Sequence, residues 1–380
     1  MQIKYNSLSA VADLAIENNM SISELVIKEQ AESMGLSEAE IKAKMLERYN
    51  IMKRAKEEGL KEGLVSVSGL TGGDALKLYK YREKGVNICG GIFTKGLSYA
   101  LAVNEYNAAM GKIVATPTAG SCGILPAAMI TMQEEHGFSD EEIVEAMFTA
   151  SAVGMVVATI ANVSGAEGGC QAECGSASAM SAAAICELFK AGPKACINAV
   201  AITFKNVLGL VCDPVAGLVE IPCIKRNAAG IMIAFSAADM ALAGISSEIP
   251  ADECIFAMRQ VGEALPSSLR ETSLGGLAAT PTAQKLKEKV FGKSGKIRLL
   301  VDLEHGNFEN HERYLLRGKA YVYTAEVEKI ISLKPGDRLL IFGKLYPLRF
   351  YKNPGKINLE KRAQSQRGLG HIYVKNVKDV

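Results

Sequence analysis

Histidine is nearly missing from most of this 380-residue chain: of four, only His136 precedes residue 291, in the polar stretch EEHGFSD. A solvated side chain is the ordinary reading there, so acid–base chemistry by imidazole has no obvious carrier in residues 1–291. The N-terminal stretch MQIKYNSLSAVADLAIENN lacks the apolar core of a signal peptide. Together with nine cysteines, that absence points to a reducing, cytoplasmic setting rather than a disulfide framework. No GK[ST] follows the glycine-rich GLTGGD, which excludes a P-loop, and no βαβ alternation supports a Rossmann sheet. Cys170 and Cys174 form C-x3-C, but no third cysteine follows at radical-enzyme spacing. The longest uncharged apolar stretch, AMFTASAVGMVVATIANVSG (146–165), is about long enough to span a bilayer. Gly, Ser, Thr and Asn interrupt it and no basic or aromatic flank anchors it, so it is a poor membrane candidate and no membrane partner is expected.

The chain is long enough for two or three domains with a large core. Its net charge of +2 conceals an asymmetry. Residues 291–380 hold 18 Lys and Arg against 9 Asp and Glu, a balance of +9, and the remainder carries −7. That last stretch also holds 10 of the 23 Phe and Tyr and none of the cysteines. Two regions of different character follow. In the first, Ser21…Glu24, Ser37…Glu40 and Ser139…Glu142 are capping boxes, each opening an amphipathic run. Between 146 and 245 the runs turn rich in Ala, Val and Met with few charges, so several helices must be buried on all sides. The fold class expected is mainly α: an all-helical domain over 1–291 with Gly-rich loops converging on one site, a linker at 292–296, and a small basic all-β domain over 297–380. The strand signals are IRLLVDLE, RYLLRGKAYVYTAEVEKII, GDRLLIFGKLYPLRFY and HIYVKNV, parted by Gly, Pro and Asn turns, and an OB-like barrel of about five strands fits them.

Two loops are suited to anions. Gly69-Leu-Thr-Gly-Gly-Asp74 precedes the helical run ALKLYKYREK, and TPTAGS places Thr118, Gly120 and Ser121 just ahead of another helix, so amides and hydroxyls could receive a carboxylate in either place. The plain alternative is that both are tight turns needing glycine. Of the cysteines, Cys170 (GAEGGCQAEC), Cys212 (GLVCDPVAG) and Cys223 (EIPCIKR) stand in distinctive contexts, but spacing alone does not select them, and buried thiols often serve only as small core residues.

The long motifs SVSGLTGGDALKL, TPTAGSCGILPA, VSGAEGGCQAECGSASAM, CDPVAGLVEIPC and LRETSLGGLAATPT occur in this order within residues 1–291. On them the segment resembles the catalytic α subunit of the iron–sulfur-dependent L-serine dehydratases. The resemblance implies a [4Fe-4S] cluster held by Cys170, Cys212 and Cys223, one iron remaining open as a Lewis acid for substrate. It implies dehydration of L-serine to aminoacrylate, which hydrolyses to pyruvate and ammonium, with Thr118, Gly120 and Ser121 preferred for binding substrate. Cys89, Cys122, Cys174, Cys186, Cys196 and Cys254 are expected to be core residues. In the resembling family a β subunit, or a fused β domain, carries a Ser-Ser-His-Thr-x-Gly-Pro motif beside the cluster. That motif is absent here, so a β partner is expected to complete the site and supply the base.

No context resembles a pyridoxal lysine. A related cluster-dependent cysteine desulfidase is the alternative within enzymes. The family's α subunits usually stop near LAATPT, so the basic tail is a departure. Its stretch LKPGDRLLIFGKLYPLRFYKNPGKINLEKRAQSQRGLGHIYV resembles the OB-fold domain of competence DNA-translocation channels, which sits among membrane helices. A nucleic-acid-binding role through 297–380 is the reading from another class, resting on attraction to phosphates and stacking on Tyr or Phe. Lysines spread over strands serve equally to protect sheet edges.

Overall fold

The computed structural model describes residues 3, 5–85, 87–291, 297–307, 313–324, 339–347 and 368–379. The chain divides into two units, 1–286 and 287–380.

The α-helices of the first unit are, among the described residues, α1 (Leu8–Glu17), α2 (Ile22–Met34), α3 (Glu38–Gly59), α4 (Asp74–Glu83), α5 (Gly90–Ala108), α6 (Ile124–His136), α7 (Asp140–Ile160), the single turn α8 (Gly165–Gly168), α9 (Cys170–Leu188), α10 (Gly192–Val207), α11 (Ile221–Leu242), α12 (Ala251–Ala264) and α13 (Pro281–Phe291), the last running across the division. All three capping boxes form. The Ser21, Ser37 and Ser139 hydroxyls accept from the backbone three residues on, and Glu24, Glu40 and Glu142 close back on the cap. Pro193 and Pro222 sit at the starts of α10 and α11, where a missing N–H costs nothing.

α9 is the hub, packed by α6, α7, α10 and α11. Its sequence is almost all small residues, CQAECGSASAMSAAAICEL, and every residue but Glu173 is buried. Small side chains let four neighbours approach, and the hydroxyls of Ser176, Ser178 and Ser181 return to carbonyls four residues back instead of remaining unpaired. The apolar stretch from 146 lies mostly in α7. That helix is long and apolar enough to cross a membrane by length and composition, but it packs against α9 and α2 with most of its apolar window buried. The family resemblance makes this a buried helix leading into a Cys170 loop; the helix is buried, but α8 follows it and Cys170 is the first residue of α9. His136 also lies in the last turn of α6 rather than in a loop, exposed and edge-on to Phe189 at 5.0 Å.

In the second unit each strand-like run contains one strand: β1 (Ile297–Asn307), β2 (Arg313–Thr324), β3 (Leu339–Pro347) and β4 (Gly368–Asp379). Their order is β1-β2-β4-β3. The pairs β1–β2 and β3–β4 are antiparallel, with Ile297 opposite Thr324 and Leu345 opposite Ile372. β2 and β4 run parallel, Tyr321 opposite His371. Among the described strands this is a mixed sheet with β1 and β3 at its edges. The PGD and NPG pieces, and the fifth strand of the expected barrel, lie outside the described residues.

Candidate active site

Cys170 owes its position to the residue before it. Gly169 has φ +75°, and a Cβ there would lie 2.7 Å from the Leu210 carbonyl and 2.8 Å from Leu265, so only glycine turns the chain tightly enough to start α9 against the 207–212 segment. Gln171 fastens the same junction: its amide donates to the Met258 carbonyl at 3.0 Å and its oxygen accepts from the Gly209 N–H at 2.9 Å. Cys212 is held from the other side. Its N–H donates to the Leu269 carbonyl (2.9 Å) and its carbonyl accepts from the Glu271 N–H (2.8 Å), so the CDPVAG and LRETS segments pair across a single bridge.

The result is one group of soft and acidic donors, its two thiols buried and its carboxylate half-buried. The Sγ atoms of Cys170 and Cys212 and a carboxylate oxygen of Glu173 all lie within 4.8 Å of one another. Cys223 is buried in the first turn of α11, near enough for the charge of Cys170 to act on it, but it is not a member of that tight group. Arg226, one turn further along α11, donates to the Val211 carbonyl at 2.9 Å, pairs with the buried Asp213 at 2.7 Å and reaches Cys170 Sγ at 3.7 Å. Asp213 in turn accepts from the Leu277 N–H at 2.6 Å, which ties the 276–279 turn to the site.

Hydrogen bonds from Cys174 and then Cys212, reinforced by the charge of Arg226, hold the Cys170 thiol well below its ordinary value despite burial. Cys174 and Cys212 are raised for the reciprocal reason, since each serves Cys170 and is itself desolvated. Burial, with the Cys170 charge behind it, raises Cys223. Burial likewise pushes Glu173 up to about 7, against the hydrogen bond from Thr118. In this state one negative charge suppresses its neighbours. A cation bound among these groups would reverse that, because thiolates are the form that ligates metal.

The TPTAGS loop lies directly beside this group. The Thr118 hydroxyl donates to Glu173, and the Gly120 backbone N–H points at the same carboxylate. Gly120 has no room for more: a Cβ would stand 2.5 Å from Glu173 Oε1. Ser121 is fully buried, its hydroxyl on the Thr116 carbonyl at 3.2 Å and 3.0 Å from Thr118 Oγ1. Asn104 and Asn227 both donate to the Gly120 carbonyl (3.0 and 2.7 Å), and Asn227 also accepts from the Gly123 N–H at 2.9 Å. Asn227 is on the Cys223 helix, so it ties loop to thiols. The other candidate loop is closed internally: the Asp74 and Ala75 N–H groups are taken by the Glu105 carboxylate at 2.9 and 3.3 Å, and Glu105 is buried.

The profile of the serine dehydratase alpha chain family matches residues 17–278. The chain belongs to this family. It is 48% identical over 288 residues to the probable L-serine dehydratase alpha chain of Bacillus subtilis, covering 76% of this chain and 96% of that one. It is 42% identical over 282 residues to the L-serine dehydratase alpha chain of Peptoniphilus asaccharolyticus, covering 74% and 97%. The L-serine dehydratase of Streptomyces coelicolor shares 37% identity over 278 residues, 70% of this chain and 58% of the longer relative. The family match ends ahead of the second unit.

Within this serine dehydratase alpha chain, Cys170, Cys212, Thr118, Gly120 and Ser121 thus lie at one locus. Three residues there escaped the sequence reading: Glu173, Arg226 and Asn227. A signal existed. Cys170, Glu173 and Cys174 fall at i, i+3, i+4, as do Cys223, Arg226 and Asn227, so each trio shares a helix face once helices are assumed. Cys174 is buried in the core, as expected, one turn along α9 from Cys170. Cys89 departs from expectation: it is exposed, before the first turn of α5.

Proposed function

We propose that this chain is the α subunit of an iron–sulfur-dependent L-serine dehydratase, removing water from L-serine to give pyruvate and ammonium. The observation that carries the proposal is the Cys170–Cys212–Glu173 group, its thiols buried, set against a loop of anion donors, in a chain of the serine dehydratase alpha family. The donor chemistry fits an iron–sulfur cluster: soft thiols, desolvated, with Arg226 stabilising negative charge at Cys170. Cys170, Cys212 and Cys223 are the ligands we assign, and the cofactor is a [4Fe-4S] cluster. When bound, such a cluster with one iron lacking a protein thiolate supplies Lewis acidity that makes the β-hydroxyl a better leaving group.

The remaining steps belong to side chains. Thr118, Gly120 and Ser121 receive the substrate carboxylate and so fix the α-carbon beside the thiol group. Asn104 and Asn227 hold the loop's own carbonyl and thereby its shape. The α-proton leaves to a base supplied by a β partner, since the first unit's one imidazole, His136, is exposed at the far end of α6. The product aminoacrylate tautomerises and hydrolyses without further help. Nine free thiols suit a cytoplasmic location.

The test is anaerobic reconstitution with iron and sulfide, followed by assay of pyruvate from L-serine with and without a β subunit. Pyruvate formation that depends on iron and on the β chain is expected. A reconstituted complex that converts L-cysteine to pyruvate and sulfide, and leaves L-serine untouched, would replace this reading with a desulfidase.

A further inference from the structure

We propose that Glu173 is an internal occupant of the carboxylate seat on the TPTAGS loop, keeping it filled until a ligand carboxylate displaces it. This rests on the reading that the loop receives the substrate carboxylate. The Thr118 hydroxyl and the Gly120 N–H already converge on a carboxylate, that of Glu173. Each of these groups has one hydrogen to give. The Ser121 hydroxyl is engaged with the Thr116 carbonyl, so neither hydroxyl assigned to the seat, that of Thr118 or of Ser121, is spare for a second carboxylate. Occupation by Glu173 and by a ligand carboxylate are therefore exclusive at this seat.

Two features distinguish an exchangeable occupant from a structural clamp. The first is access. Glu173 is the one residue of α9 that is not buried, and the loop over it is open, with Thr118 half-buried and Ala119 exposed. The second is the shape of the slot. Both glycines facing the carboxylate leave it space that a side chain would take: a Cβ on Gly120 would lie 2.5 Å from one Glu173 oxygen, and one on Gly165 3.2 Å from the other. The contrast is Glu105, which holds the Asp74 and Ala75 amides in the same manner but is buried and sealed from ligand. The sequence thus uses glutamate twice to satisfy a loop's amides, once permanently and once where a small carboxylate can enter.

The experiment uses the full-length, metal-free chain and no turnover, so its failure is separate from failure of the dehydratase reading. Thermal melting is followed in increasing sodium acetate, against sodium chloride at equal ionic strength. The parent chain should respond no differently to the two salts. Glu173→Ala vacates the seat, and its midpoint should rise by about 3 °C or more at about 50 mM acetate, as ligand binding to the native state requires. Dependence of that response on the Thr118 hydroxyl is checked by adding Thr118→Val to Glu173→Ala, which should abolish it. Glu173→Gln keeps the side-chain volume with a weaker acceptor, so it should show an intermediate response even if the alanine variant does not fold. An equal response in parent and variants, no response in a folded Glu173→Ala chain, or a response surviving Thr118→Val would overturn the proposal. Loss of native circular dichroism in both single variants would also overturn it, by making Glu173 a clamp like Glu105. A chain that behaves as expected but never dehydrates serine would keep the seat and remove the serine reading.

Discussion

Glycine and cysteine divide the work at the candidate site: glycines let backbone and carboxylate approach, and thiols supply the donors. Gly165 shows the limit most clearly, since a Cβ there would lie 2.9 Å from Cys212 Sγ. If Cys170, Cys212 and Cys223 are the cluster ligands, alanine at any of them should abolish the brown absorbance of the reconstituted chain together with its activity. Cys186→Ala and Cys254→Ala should retain both, being buried away from Glu173 and unconnected to Cys170. Visible absorbance per mole of chain, measured after anaerobic reconstitution, checks this, and equal loss in both sets would defeat the assignment. Cys174 gives a finer comparison. It bonds to Cys170 but is not among the assigned ligands, so Cys174→Ala should leave the absorbance in place.

Among the helices, close approach substitutes for large side chains. α3 crosses α5 at Gly59, where a Cβ would fall 2.0 Å from the Ala102 carbonyl. Backbone cannot yield there as a flexible side chain would. Gly59→Ala should therefore destabilise the chain by about 1–3 kcal/mol or more, the usual cost of overpacking, read as a lower urea midpoint at unchanged slope.

A second element-scale case concerns pH. Lys225 on α11 pairs with Asp74 at the start of α4, and this bond, followed by one from Lys77, holds the Asp74 carboxyl below its ordinary value. A carboxyl whose native value is lowered stabilises the fold above its unfolded value, near 3.8, and loses that contribution as pH falls through its native value. Lys225→Met should thus cost a modest amount near neutrality, about 0–1 kcal/mol for so exposed a pair. Its deficit should fade in melts taken below about pH 3.5. A deficit independent of pH would mean that packing, not charge, carries the Lys225 effect.

At the scale of the whole molecule the two units differ in charge, aromatic content and secondary structure, and every thiol lies in the first. Removing residues 293–380 should therefore leave the reconstituted absorbance and the β-dependent pyruvate formation intact, within about twofold, because the thiols and the matched family segment all precede residue 293. The measurement is a paired assay of full-length and truncated chains with the same β preparation. Loss of the cluster on truncation would make the β unit a structural part of the enzyme. Robust dehydration of serine by the chain alone would remove the need for a partner.

Local signals were legible wherever the physics is local. The capping boxes are formed by residues three apart, and the alternating runs after residue 297 are satisfied within single strands, so both could be read directly from the sequence. The long motifs likewise marked out the contexts of Cys170 and Cys212 and the TPTAGS loop, which the fold sets side by side. Glu173 could not be singled out in that way. Its importance comes from a loop 55 residues earlier and a cysteine on a segment 39 residues later, and nothing in its own neighbourhood says that the Thr118 hydroxyl will reach it. The same holds for Arg226, whose partners Asp213, Val211 and Cys170 meet only because α9, α11 and the Cys212–Arg270 bridge pack together. The sequence by itself determined which residue types were available and which stretches would be helix or strand, because those depend on contacts a few residues apart. Only the tertiary structure decided which carboxylate faces the thiols and which loop amides are already taken, because desolvation and hydrogen-bond pairing depend on groups brought together by folding.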